Sequence, residues 1–197
     1  MEVKNYSVSF GSRQLSTNIN VSFSSNKMNI IMGDNGAGKS TLLDFIAGVG
    51  PKGAVGEKVG IPSYQKIAYQ LQQVHFFPTL TVAQTVAFYS QLTTNQSNSK
   101  TYENAKNVRN NLLSPIWNTK MGQLSGGERQ IVLTYGQCLL DKEVYIFDEP
   151  TSGVDEKNAP VVLSMINDLV INDHKIVIMT SHHSDQLKQF DLNLIAL

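Results

Sequence analysis

A single cysteine, Cys138, stands in 197 residues, so no internal disulfide framework and no multi-cysteine zinc site can form, and a reducing compartment is the default expectation. No apolar run approaches the roughly 20 residues needed to cross a bilayer. The opening Met1-Glu2-Val3-Lys4 passes straight into alternating polar and apolar residues, unlike a signal peptide. Net charge is missing as well: 16 Lys plus Arg balance 16 Asp plus Glu, and without a basic tract, nucleic acid is not the expected primary ligand. No internal repeat or heptad run is present, so solenoids and coiled coils fall away. The length fits one domain with a sizeable interior.

What is there is concentrated around residues 33–40. Gly33-Asp34-Asn35-Gly36-Ala37-Gly38-Lys39-Ser40 fits G-x-x-x-x-G-K-[ST], the phosphate-binding P-loop pattern, and Thr41 extends it. The short β-branched run Met28–Met32 before it reads as a buried strand. Lys39–Ala47 reads as a helix with Leu42, Leu43 and Ile46 on one face and Gly48 as its C-terminal cap. A strand, a glycine turn and a helix N-terminus gather free N–H groups and the positive end of a helix dipole around one anion. Glycines let the backbone curl closely around phosphate oxygens. Lys39 is placed to reach the β- and γ-phosphates and Ser40 to bind Mg²⁺, so ATP or GTP with Mg²⁺ is the expected ligand.

The remaining pattern alternates strands with helices. Residues 2–32 read as an antiparallel β layer broken at Gly11-Ser12, and 48–62, rich in Gly and Pro, as turns before a strand at Ile67–Leu71. Residues 81–113 read as helical around a polar connection at 93–99, and 126–140 as a further helix. Strands are expected at Val144–Asp148, Ile176–Met179 and Leu192–Leu197, with a helix over 158–172 that tolerates Pro160 in its first turn. The expected fold is α/β: a mainly parallel core sheet, an N-terminal antiparallel layer and a small helical subdomain. The core takes about residues 1–72 and 140–197 and the helical part about 73–139.

Asp148 and Glu149 end one of these strands. Two adjacent carboxylates can merely cap a loop before Pro150, but beside a P-loop, at the ligand crevice of a parallel sheet, they suit metal binding and water activation. Ser125 is a good N-cap for the helix that begins at Gly126-Gly127-Glu128, whose glycines permit close approach by another group.

Leu124-Ser125-Gly126-Gly127-Glu128, set between a P-loop and Asp148-Glu149-Pro150-Thr151, resembles the signature of the ATP-binding cassette (ABC) family, and the likeness runs through the whole chain. In that likeness Phe10 matches the aromatic residue that stacks on adenine and Gly33–Thr41 the Walker A loop. Gln72 matches the glutamine that senses Mg²⁺ and water, Asp148 the Walker B metal carboxylate, and Glu149 the catalytic glutamate. Ser152-Gly153-Val154-Asp155 looks like the D-loop, and His182 matches the switch histidine, with His183 beside it as the competing position.

The resemblance implies an ATPase that uses ATP and Mg²⁺ and pairs head to tail with a second such domain. Ser125, Gly126, Gly127 and Glu128 would then contact the partner's ATP, and an integral membrane permease would be the transport partner. The chain would lie on the cytoplasmic side, held at the membrane through that permease. Phe76, Phe77, Phe88 and Tyr89 are candidates to meet it. The alternatives are a soluble ABC protein of DNA repair, chromosome maintenance or translation, and a regulatory cassette without turnover. Ile131 and Gly136 stand where many relatives carry arginine, and Gln84 where many carry glutamate.

Overall fold

A computed structural model describes residues 1–10, 13–72, 75–93, 102–181 and 184–197, with the backbone alone at residues 10, 13, 14 and 184. Its centre is a five-stranded sheet of strands β3 (Met28–Met32), β5 (Ile67–Gln70), β6 (Val144–Asp148), β7 (Ile176–Thr180) and β8 (Leu192–Ala196). They lie in the order β5-β6-β7-β3-β8, and every neighbouring pair is parallel. Residues alternate between faces along each strand. On β6, Tyr145 and Phe147 enter one apolar cluster while Val144 and Ile146 enter the other. Burial on both sides is why these strands read as nearly unbroken apolar runs.

One face is closed by α1 (Lys39–Ala47) and a three-stranded antiparallel layer, β2-β1-β4, formed by β1 (Glu2–Phe10), β2 (Arg13–Ser22) and β4 (Ala54–Val59). Val3, Tyr6, Val8, Val21 and Phe23 bring this layer onto Leu42, Leu43 and Ile46 of α1. The turns expected over 48–62 are in part a strand, because β4 pairs with β1 from Glu2↔Val59 to Val8↔Ala54. Its residues are mostly exposed, so backbone hydrogen bonding, rather than an apolar pattern, makes it a strand. Gly56 has φ 155°, and a Cβ there would sit 3.1 Å from the Tyr6 Cα, so glycine lets the edge strand approach.

The other face carries α4 (Gly126–Cys138) and α5 (Ala159–Ile171), with the short α6 (Ser184–Leu187) beside α5. Helix α2 (Val82–Gln91) packs on α4, and α3 (Glu103–Asn107) runs through a wide π turn at Val108–Leu113 before reaching the signature segment. Gln84 closes a capping box on α2: its Oε1 accepts the Thr81 N–H at 2.9 Å while Thr81 Oγ1 accepts the Gln84 N–H at 3.2 Å. Glutamine therefore does here what glutamate would do. Cys138 is buried on α4, and that burial pushes its thiol up, away from the thiolate a nucleophile needs.

Ile131 and Gly136 are packing sites. Ile131 is buried in the core, and a Cβ at Gly136 would sit 2.3 Å from the Tyr89 ring. Glycine is what allows α2 to seat its tyrosine on α4. Gly136→Val forces ring and helix apart and should lower stability by about 1–3 kcal/mol, the usual cost of overpacking. A urea unfolding midpoint equal to or above that of the wild type would show that the ring yields without cost.

Candidate functional site

The P-loop follows β3 directly and ends in α1. Gly36 and Gly38 take φ 84° and 97°, left-handed values that L side chains rarely adopt, and Gly38 is the N-cap residue, without a side-chain cap. No acidic residue occupies the first turn of α1, so its N–H groups and dipole are left for an external anion. Lys39 is buried, and its Nζ donates to the carbonyls of Gly33 at 2.8 Å and Asp34 at 3.0 Å. These bonds bridge the loop and fix the ammonium where phosphate oxygens would meet it.

The sheet brings distant residues to the same place. A cavity of about 550 Å³ is lined by Asn35, Gly36, Gly38, Lys39, Ser40 and Thr41 of the loop, by Leu15 of β2, and by Gln72 and Glu149. Thr180 pairs with Asp148 on one side and Ile31 on the other, so the end of β7 lies between the P-loop strand and the two carboxylates. Its hydroxyl donates to Asp148 Oδ1 at 2.6 Å and accepts the Glu149 N–H at 3.0 Å.

Glu149 itself has φ 53°, a strained value for a non-glycine residue. Its carbonyl accepts from Gln130 Nε2 at 3.2 Å, and its Oε2 accepts from Gln72 Nε2 at 3.2 Å. A buried carboxylate oriented by a hydroxyl, and a second one turned into the cavity, suit a hydrated Mg²⁺ and an attacking water respectively. The donor set fits such a metal, which keeps waters and needs few protein ligands; among the described residues no cluster of three or more His, Cys, Asp or Glu offers an all-protein cage.

The signature residues form a second, separate group. Ser125 caps α4 reciprocally: its Oγ accepts the Glu128 N–H at 3.2 Å and Glu128 Oε2 accepts the Ser125 N–H at 2.8 Å. A Cβ at Gly127 would lie 2.2 Å from the Gly153 carbonyl oxygen, whereas one at Gly126 would meet nothing within 4 Å. Gly127 thus lets the helix touch the loop after β6, and Gly126 leaves an open face. Ser125, Gly127, Glu128, Gly153 and Asp155 border a cavity of about 520 Å³ that contains no P-loop residue. Asp155 also organises the approach to α5: the Asn158 N–H at 3.0 Å, the Asn158 side-chain amide at 2.7 Å and the Lys157 N–H at 3.1 Å all donate to its carboxylate and hold it below the usual range.

Of the residues singled out from sequence, Gly36, Gly38, Lys39, Ser40, Thr41, Asn35, Gln72 and Glu149 share one cavity; Asp148, next to Glu149 in the chain, is buried and does not line it. Ser125, Gly127, Glu128 and Asp155 share another. The side chain of Phe10 and residues His182 and His183 lie outside the described residues. Thr180, Gln130 and Leu15 were not anticipated. A threonine closing the apolar run Ile176–Met179 was a visible signal for the first. Nothing local marked the other two.

Strand, glycine turn, helix and a carboxylate-tipped strand with one strand between define a P-loop nucleoside triphosphatase. A family model described as ABC transporter matches residues 16–152, and the chain belongs to that family. It is an ATPase of the ABC type, using ATP and Mg²⁺. ABC transporter G family member 4 of Arabidopsis thaliana is 38% identical over 160 residues, covering 77% of this chain and 28% of that protein. The zinc import ATP-binding protein ZnuC of Photorhabdus laumondii is 31% identical over 182 residues, covering 91% of this chain and 67% of that protein.

The chain therefore spans little more than a quarter of the plant relative and two thirds of the bacterial one. The ATP-binding subunit of an ABC transporter superposes with a TM-score of 0.79 at 18% identity, over 98% of this chain and 85% of that one. A dimeric bacterial ABC transporter cassette superposes with a TM-score of 0.77 at 21% identity, over 99% and 94%. At such identities the likeness shows the fold. Among the described residues no helix is long and apolar enough to cross a membrane.

Proposed function

We propose that this chain energises transport by a separate membrane permease and works as a head-to-tail pair in which each ATP lies between the P-loop of one copy and the signature helix of the other. The observation that carries this reading is the separation of the two halves of the site. The cavity at Lys39 and Glu149 lacks the signature residues, and the cavity at Ser125 and Asp155 lacks the P-loop. A second copy supplies to each what its own chain holds elsewhere.

In this reading the N–H groups of residues 33–41 wrap the phosphates, and Lys39 exchanges its two carbonyl contacts for the β- and γ-phosphate oxygens. Ser40 Oγ and, through water, Asp148 would hold Mg²⁺, which when bound offsets phosphate charge. Thr180 keeps Asp148 aligned for that role. Glu149 accepts a proton from the attacking water, Gln72 positions the same carboxylate, and His182 meets the γ-phosphate. Phe10 covers the adenine. Ser125 and the N–H groups of Gly126 and Gly127 reach the partner's γ-phosphate, with Glu128 fixing Ser125 and Asp155 shaping the contact.

We further assign residues 1–72 and 140–197 to a catalytic unit and 73–139 to a helical unit whose outer side faces the permease. Phe77 and Phe88 support that assignment: they are 63% and 44% exposed, with ring centroids 6.3 Å apart. Phe76 is engaged instead with the Arg129 guanidinium, 4.2 Å from its ring, and Tyr89 with Gly136. A balanced net charge fits protein and nucleotide partners in preference to nucleic acid. The cytoplasmic face of the membrane is the assigned location, through the permease.

Steady-state ATPase rate measured against protein concentration tests the pairing. The rate should rise faster than linearly at low concentration; a strictly linear rise from the lowest concentrations, with a monomer throughout by light scattering, would rule out catalysis between two copies.

A further inference from the structure

The strained backbone of Glu149 is held on both sides by side chains of different elements. Thr180 on β7 takes its N–H at 3.0 Å, and Gln130 on α4 donates to its carbonyl at 3.2 Å. The left-handed φ of 53° aims the carboxylate at the cavity, and such a conformation persists only where surrounding contacts over-determine it. Thr180 sits in the core sheet, paired with Ile31 of the P-loop strand. Gln130 is only 8% exposed and belongs to the helix whose first turn is the signature.

Gly126 and Gln130 are four residues apart, so they share one side of α4, and both border a cavity of about 370 Å³ that Gln72 and Gly153 also line. A helix shifts as a body. Displacement of its signature end by a γ-phosphate is therefore delivered to the Gln130 amide and, through one hydrogen bond, to the Glu149 peptide.

We infer that Gln130 is a positioning residue for hydrolysis: it ties the signature helix, which reads the ATP of one site, to the carboxylate that acts at the other. This rests on the proposed pairing and on Glu149 as the residue that activates water. The link adds to the contact Gln72 makes with the carboxylate, because it acts on the backbone and so sets the direction in which the whole side chain leaves the strand. With it in place, an empty signature and a filled one present Glu149 differently, and the two sites of a pair fire in concert.

The test compares Gln130→Met, which keeps an unbranched side chain of similar length and removes the donor, with Gln130→Glu, which keeps the shape and replaces donor by acceptor; the second carries the test if the first fails to fold. Both variants should lose roughly 10- to 100-fold in kcat, the scale of a misplacement near 1 Å. KM for ATP and the ATP-dependent dimer should stay at wild-type values.

In a Glu149→Gln background, Gln130→Met should change the residual single-turnover rate by less than about twofold, because no carboxylate remains to misplace. A wild-type kcat in Gln130→Met, a loss matched by weaker ATP binding or dimerisation, or a full additive loss in the double variant would overturn the inference. Wild-type turnover in Glu149→Gln alone would defeat the underlying assignment of Glu149. An inactive Glu149→Gln beside a fully active Gln130→Met would defeat only the role of Gln130.

Discussion

Glu149→Gln binds ATP as the wild type does, loses at least about 100-fold in turnover, the scale of a lost general base, and accumulates as an ATP-bound dimer. The amide is nearly isosteric with the carboxylate, so the backbone contacts from Thr180 and Gln130, at 3.0 and 3.2 Å, survive. The Gln72 amide still finds an oxygen to donate to. What disappears is the negative charge that orients the attacking water and takes its proton. Binding depends instead on the P-loop backbone and Lys39, which the change does not touch. Phosphate release and size-exclusion chromatography in MgATP measure the two halves of this result, and wild-type hydrolysis in the variant would reject Glu149 as the residue that activates water.

Lys39→Ala acts one step earlier and weakens nucleotide binding itself. The wild-type ammonium is buried and donates to the carbonyls of Gly33 and Asp34, so its direction is fixed before the ligand arrives. Alanine removes the charge at the phosphates and leaves those carbonyls to find other donors. Charge-assisted hydrogen bonds contribute about 1.5–3 kcal/mol each. Losing one of them corresponds to a fall in ATP affinity of roughly 10- to 150-fold at 1.4 kcal/mol per tenfold, and losing two to a still larger fall. A calorimetric titration that returns an unchanged affinity would contradict the placement of Lys39 at the phosphates. The two variants thus separate binding from turnover.

Much of this site was legible in the chain because its parts are contiguous. The run Met28–Met32, the glycines of residues 33–38 and the apolar face of Lys39–Ala47 are each local patterns, and their order alone forces a strand–turn–helix with an anion site at the junction. Ser125 followed by Glu128 carries its own capping box in four residues, and the structure forms it. The strand β4 escaped for the opposite reason. An exposed edge strand has no apolar alternation to display, and what makes Ala54–Val59 extended is the row of backbone partners on β1, about 50 residues away in sequence.

Gly136 showed the limit of comparing residue types. Its sequence position suggested a missing arginine contact, while the structure puts the Tyr89 ring where any Cβ would stand. The sequence by itself determined the residue chemistry: a phosphate cradle, a lysine, a hydroxyl for a metal, paired carboxylates at a strand end and a capped glycine-rich helix. Each is dictated by a few neighbouring residues.

Tertiary structure alone decided how those pieces act on one another. The parallel register sets Thr180 opposite Asp148, the packing of α4 brings Gln130 to the Glu149 carbonyl, and the fold gives the P-loop and the signature different cavities. Such relations depend on which strand lies beside which and at what offset. Those offsets follow from burying two apolar faces at once, a property of the whole chain that no short stretch of it contains.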